Sequence, residues 1–376
     1  MKNILFITHS GKAGGAQNVL SFVINNTFED KEYKRYVIYP KFQGLEFVKL
    51  LNTDIYAESV FYRSNSSNTF KSIVCNIINI PGLIYLVLFC YLNKIKVIYI
   101  NSTVNFIGIV LSFLTPTKVI WHVHEQPNEK VKIIPNYFRK VYKKLFLSKK
   151  INSIFVSNYS VKSWEKTLSI KISKANIVYP PVRTPVTVSK QLDKNEFCFG
   201  FLGALVREKN ILTLLEAFDE ILKRNLGEIK LIIAGEGILR NEIIEKVIEL
   251  NISDKIELLE YNSDVSLFFS KIDVLVQPSY NESWGLVALE ALSYSKAVIM
   301  TRETGLREIL VDGKDCLFID PLKKSDLMEK MIFLLDNKTE CLNLGHNGYK
   351  KFKSFEFNDT FSNSIKNICD YEKNNK

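Results

Sequence analysis

Short runs of β-branched and aromatic residues recur along this chain, each followed by a loop and a longer amphipathic stretch. In the first half the strand candidates are Ile4–Thr8, Arg35–Ile38, Val97–Ile100, Lys118–Val123 and Ser153–Val156. Helical patterns fill the gaps near Ala16–Asn26, Phe70–Leu92, Val104–Leu114, Ile134–Leu147 and Ser160–Thr167. Such alternation calls for a parallel sheet covered on both faces, because parallel neighbours need a crossover between them. The rhythm stops at Tyr179-Pro180-Pro181-Val182-Arg183-Thr184-Pro185, whose prolines fit neither a helix interior nor a central strand. It restarts with strands at Phe197–Leu202, Lys230–Ala234, Lys255–Leu259, Val274–Gln277 and Ala297–Met300, and helices at Ile211–Arg224 and Leu239–Leu250. The expectation is α/β: two doubly wound domains, 1–182 and 183–358, joined by a linker at Tyr179–Asn195 and facing a central cleft. A helix within 359–376 is expected to return toward the first domain.

The chain is long enough for this, with 376 residues of which 47% are apolar. Its six cysteines stand at no metal or redox spacing and are expected to be reduced and mostly buried, which suits the cytoplasm. With four histidines, a histidine-rich metal site is not expected. The apolar run Ile4–Ile7 is too short for the core of a secretory signal. The longest uninterrupted apolar run, Leu83–Leu92, falls short of the roughly 20 residues that span a bilayer, and a buried core helix is expected there. The net charge of +10 is divided unevenly: residues 1–182 hold 24 Lys+Arg against 9 Asp+Glu, and the remainder 26 against 31. A basic first half suits an anionic surface. The stretch Lys130–Lys150 mixes Lys and Arg with Ile, Tyr, Phe, Val and Leu at near-helical spacing. It reads either as a membrane-surface helix or as a solvated helix with its stripe in the core. No nucleic-acid motif accompanies the charge.

Four segments carry chemistry. Thr8-His9-Ser10-Gly11-Lys12-Ala13-Gly14-Gly15 follows the first strand and opens the first helix, where glycines let a ligand approach free amides. Gly203-Ala204-Leu205-Val206-Arg207-Glu208-Lys209 puts two cations at a strand's carboxyl end, where a diphosphate would need neutralising. His122 and His124 share one strand face at the end of Lys118–Val123 and are candidates to hydrogen-bond a sugar hydroxyl or phosphate. The fourth segment runs from Pro278 to Leu292. Glu282 and Glu290, on a single helix, would stand about 12 Å apart along the axis and roughly 80° apart around it. The residues instead put Glu282 in a loop ending at Gly285, and Glu290 one turn inside a helix starting near Leu286. The amides of Leu286 and Val287 lie between the two carboxylates, where a diphosphate could sit with hydroxyl-bearing groups on either side.

Together these segments resemble the large family of GT-B retaining glycosyltransferases with an E-x7-E motif, often called family 4. The likeness is densest from Phe201 to Gly313 and most specific at Pro278-Ser279 through Glu290. It implies two Rossmann-like domains and a hexosyltransferase that moves sugar from a UDP- or GDP-linked donor to a glycan or lipid-linked acceptor. Retention of configuration, no metal or other cofactor, and a place in cell-surface polysaccharide synthesis go with it. It also implies roles: Glu282 and His124 on the transferred sugar, Glu290 on the ribose, Lys209 with a nearby Arg on the diphosphate, and Gly14 and Gly15 allowing phosphate approach. Ala204 stands where the family usually carries Arg, with Arg207 three residues on as the substitute. Ser283 and Leu306 replace frequent glycines. A nucleotide-sugar epimerase or a non-catalytic nucleotide-sugar binder would use the same motifs. A cytoplasmic protein, peripheral on the inner face of the plasma membrane, is the expected setting.

Overall fold

The structure is a computed structural model and describes residues 2–12, 14–29, 32–65, 67–127, 133–182, 196–260, 264–355 and 357–370. Two compact units form, one from Met1–Pro181 with Phe357–Lys376 and the other from Val182–Glu356. Most of the expected linker, 183–195, lies outside the described residues.

The first unit runs β1 (Lys2–Ile7), α1 (Gly15–Phe22), β2 (Tyr33–Pro40), β3 (Tyr56–Val60), α2 (Thr69–Ile78), α3 (Ile80–Leu92), β4 (Val97–Asn101), α4 (Phe106–Leu114), β5 (Lys118–Val123), α5 (Arg139–Phe146), β6 (Ile151–Phe155), α6 (Asn158–Leu168) and β7 (Asn176–Ile177). Its seven strands are ordered β3-β2-β1-β4-β5-β6-β7, all parallel. The order reverses at β1, which pairs β2 on one side and β4 on the other, and ligands of doubly wound sheets bind at such a point. The second unit runs β8 (Phe197–Leu202), α7 (Ile211–Leu222), β9 (Ile229–Ala234), α8 (Arg240–Glu249), β10 (Ile256–Leu259), α9 (Ser266–Lys271), β11 (Val274–Gln277), α10 (Leu286–Ser293), β12 (Ala297–Thr301), β13 (Leu317–Ile319), α11 (Lys324–Asp336) and α12 (Lys338–Lys353). Its order is β10-β9-β8-β11-β12-β13, again parallel, and reverses at β8. Central strands such as β4, β8 and β12 are buried along their whole length, as a sheet covered on both faces requires.

The last helix, α13 (Phe357–Asp370), belongs to the first unit. Phe361 and Ile365 are fully buried, Phe361 packs edge-on against Phe22, and Thr27 donates to Ser362. Lys118 reaches the carbonyls of Ile368 and Cys369, and Lys2 pairs with Asp370.

One expectation is corrected, and one pair of alternatives is narrowed. Phe70–Leu92 is not one buried helix: α2 and α3 meet at a 51° bend, with Asn79 between them and Pro81 in the first turn of α3. Proline lacks the N–H that a continuing helix would use. Both helices leave large apolar side chains exposed, among them Phe70, Ile77, Ile84, Leu88 and Leu92. In the Lys130–Lys150 stretch, α5 turns Tyr142, Leu145 and Phe146 into the core, where Phe146 stacks on Trp121 at 4.6 Å. The stripe of α5 thus faces the core, the second of the two readings, while Tyr137 and Leu147 beside it stay exposed; Lys130–Lys132 lie outside the described residues.

Candidate active site

In the second unit the switch strands β8 and β11 deliver the two loops that carry the chemistry. The β8 loop turns through Gly203 (φ 157°) beside Gly235 (φ 152°), which follows β9. A Cβ on Gly235 would collide with the carbonyl of Gly203, so these turns require glycine. The loop then reaches Lys209 and Asn210, the latter left-handed at φ 56°. Asn210 is a tie: its amide donates to the carbonyls of Pro278 (3.2 Å) and Pro321 (3.1 Å) and accepts from the Thr213 hydroxyl at 2.8 Å. Tyr280 N–H adds a bond to the Glu208 carbonyl. The Lys209 loop and the Glu282 loop are thereby held together.

Across that seam Lys209 Nζ lies 2.6 Å from Glu282 Oε1, and the Ser279 hydroxyl donates to the same oxygen at 2.7 Å. The Glu282 backbone is also pinned: its N–H donates to Glu303 O at 2.8 Å and its carbonyl accepts from Gly305 N–H at 3.2 Å. The Glu282 and Lys209 side chains are 13% and 26% exposed, a partly desolvated pair in which the attraction is stronger than on an open surface. Gly285, at φ 103° and ψ 49°, turns the loop into α10, where residues with a Cβ are disfavoured. Thr304 braces the turn by donating to Trp284 O at 2.8 Å.

Helix α10 buries Ala288, Leu289, Ala291, Leu292 and Ser293 and keeps Leu286, Val287 and Glu290 partly exposed. Glu290 falls one turn on from Leu286 and Val287, so the amide end of the helix and Glu290 share a side. Lys209, Glu282, Gly285, Leu286, Val287 and Glu290 thus all lie in one unit, with Glu282 immediately before the helix. Lys209 meets Glu282 directly rather than across the width of a pyrophosphate. Arg207 is not brought in: its side chain is 78% exposed and its Nη2 lies 3.8 Å from Glu242 Oε2.

In the first unit, α1 opens at the expected glycines. Gly14 is the cap, with extended backbone, and Gly15 is the first helical residue. His124 follows β5, and its Nε2 lies 2.8 Å from Asn101 Oδ1 at the end of β4. An amide oxygen only accepts, so Nε2 carries the proton and Nδ1 is an acceptor. Burial, with His122 and His9 adding to it, holds His124 well below its ordinary range and therefore neutral, although Glu125 pulls the other way. Burial would raise Glu125, but His9, His124, the Ser102 hydroxyl and Thr103 outweigh it and keep the carboxylate ionised. Thr103 gives it two bonds, N–H at 2.9 Å and hydroxyl at 2.8 Å. Ser102, which also donates to it, stands at φ 79°. His122 points inward, fully buried and 2.7 Å from the Tyr99 hydroxyl, and burial lowers it to about 3.

Sequence reasoning did not find Ser279, Asn101, Asn210 or Thr304. Each is a single small polar residue, and the hydrogen bonds it makes leave no spacing pattern. Asn210 alone carries a signal, an Asn just ahead of a helix.

Two doubly wound, parallel-sheet units of this kind match the Rossmann-like α/β domains of GT-B structures. Residues 184–351, within the second unit, match the family model described as "Glycosyl transferases group 1". It is 32% identical over 54% of its length to an uncharacterized glycosyltransferase of Methanocaldococcus jannaschii, covering 55% of that protein. It is 27% identical over 44% of its length to the capsular polysaccharide biosynthesis glycosyltransferase CapM of Staphylococcus aureus, covering 43%. The chain thus spans about half the length of these curated relatives. Among solved structures, Anabaena Alr3699/HepE, crystallised with UDP and glucose, superposes with a TM-score of 0.79 at 18% identity, over 98% of this chain and 99% of that one. At that identity the likeness is one of fold.

Proposed function

We propose that this protein is a retaining glycosyltransferase that moves a hexose-type sugar from a UDP- or GDP-linked donor to a glycan or lipid-linked acceptor in cell-surface polysaccharide synthesis. The observation that carries the reading is Glu282, fixed by Lys209 and Ser279, directly before a helix whose accessible face bears Leu286, Val287 and Glu290. The diphosphate would lie against Lys209 and the first amides of α10, which stabilise negative charge developing on the leaving group without moving to do so. Glu282 would orient the sugar hydroxyls and Glu290 the ribose. The C1–O bond to the diphosphate breaks and a C1–O bond to the acceptor forms on the same face. The acceptor's hydroxyl proton passes to the departing phosphate oxygen. The name of the Staphylococcus aureus relative supports the polysaccharide setting, and the UDP and glucose held by the Anabaena protein support a nucleotide-sugar donor.

The test follows labelled UDP- and GDP-sugars with membrane extracts and soluble glycans as acceptors. Label moving to acceptor in the α-configuration of an α-linked donor is the expected result. Epimerised sugar with free nucleoside diphosphate, or donor binding without any product, would replace this reading. Ala204 and the exposed Arg207 are the features that favour the second of those outcomes.

A further inference from the structure

We propose that α2 and α3 form a face that lies on an anionic bilayer, with the basic pocket beside them taking the phosphate of a lipid headgroup. From Thr69 to Leu92 the one charged residue is Lys71. A soluble monomer seldom leaves large apolar side chains contiguous in solvent, yet here Phe70 is 77% exposed and Leu92 81%, with Ile77, Ile84 and Leu88 between them. Neither helix is long enough to cross a bilayer, whose core is about 30 Å thick. A bent, apolar pair with cations at its border suits the interfacial layer instead.

The bend is built rather than loose. Asn79, between the helices, accepts from Arg63 N–H at 2.7 Å and donates to Arg63 O at 2.9 Å, a two-way amide pair. Gly82 lets α3 settle onto the carbonyl of Phe61, which any Cβ would strike. These contacts fix the Phe61–Ser64 loop, and that loop walls a cavity of about 580 Å³. Three cations line it, Lys41, Arg63 and Lys71, and its lining holds no carboxylate. At its rim Phe42 is 83% exposed and held at φ 69°, a conformation a bulky residue avoids. An aromatic side chain kept in water against its backbone preference fits a membrane-interface anchor. The carboxylate Glu58, beside α3, accepts hydroxyl bonds from Tyr56 and Tyr85 and does not line the pocket. Cations, a rim aromatic and a helix pair whose one charge is the cation Lys71 therefore meet at one edge, which is the charge complement of a phosphate-bearing lipid surface.

Flotation with phosphatidylcholine vesicles, with and without phosphatidylglycerol, tests this on the full chain. The wild type is expected to float with the anionic vesicles. The triple variant Phe70→Ser, Ile77→Ser, Leu88→Ser should lose at least about tenfold in partition while keeping its melting temperature, because all three side chains are exposed. Lys41→Gln with Arg63→Gln and Lys71→Gln should remove the preference for phosphatidylglycerol. Wild-type protein left unbound by anionic vesicles, or unchanged flotation of the apolar variant, overturns the proposal. A wild-type dimer that the apolar variant converts to monomer, with no vesicle binding by either, would assign the face to a second copy and overturn it too. Displacement from vesicles by inorganic phosphate beyond that by chloride of equal ionic strength would assign the pocket to the free ion. Flotation requires no donor, so a failure of the glycosyl-transfer reading would appear in turnover alone.

Discussion

Lys209 and Glu282, 73 positions apart in sequence, touch at 2.6 Å through loops that leave adjacent strands at the point where the sheet reverses order. The carboxylate is thus oriented, and the cation placed, by one contact that Ser279 and Asn210 reinforce.

Removing either partner should stop transfer without unfolding the unit. Lys209→Ala withdraws a fixed charge from the leaving group, and losses of about 10²–10³ in kcat are usual for one such donor. Glu282→Ala should fall in the same range. Steady-state transfer alongside circular dichroism checks this, and near-normal turnover in both variants would remove these residues from the site.

Arg207→Ala should behave otherwise. Its side chain stands 78% in solvent beside Glu242, and exposed substitutions change free energies little, so kcat/KM should stay within about threefold of wild type. A loss approaching that of Lys209→Ala would show that the loop folds Arg207 inward during turnover.

Gly285→Ala should cost stability. The backbone there is left-handed at φ 103°, and an added Cβ would lie 3.0 Å from Leu306 Cδ1 and 3.2 Å from Thr304 Oγ1. Strain of about 1–2 kcal/mol should lower the melting point of the second unit by roughly 3–8 °C. Calorimetry reads this directly, and an unshifted transition would contradict the geometry of the turn.

The first unit should weaken in mild acid. Burial holds His122 neutral, with its pKa brought down from 6.5 to about 3. Between those values the unfolded chain binds the extra proton, so stability is fully present above the unfolded value and is lost as pH falls through the window. One such group contributes a slope of about 1.4 kcal/mol per pH unit. His9 and His124 are lowered too and act in the same direction. Denaturant unfolding of His122→Phe across this range should show a slope smaller by about one proton; an unchanged slope would point to the other two histidines.

The α/β layout was legible because buried parallel strands are written as continuous apolar runs, and Phe197–Leu202, Lys118–Val123 and Val274–Gln277 emerge with the bounds read from sequence. The relation of Glu282 to Glu290 was legible for a similar reason, since Pro278 and Gly285 bracket a loop ahead of an apolar helix. Strands β3, β7 and β13 were not: β3 is a half-exposed edge strand, and β7 and β13 span two and three residues. Nor could the chain alone tell that α5 turns its stripe inward while α2 and α3 turn theirs outward. All three carry apolar side chains: α5 sends its stripe onto Trp121, whereas α3 is apolar all round, so burying Leu86, Phe89 and Cys90 against the core still leaves Ile84, Leu88 and Leu92 outside. The direction taken by Arg207 was equally hidden, because a cation in a loop is compatible with either side.

Since α13 closes the first unit and Asp370 meets both Lys2 and Tyr33, the second unit is an insertion within the first. On the ribosome β1 through β7 emerge early, but the apolar slot that Phe361 and Ile365 fill must stay open until the whole insertion has been translated. At usual elongation speeds that wait lasts roughly ten to thirty seconds. The domain begun first is thus the last to mature, and it passes the interval with Phe22 and its neighbours uncovered.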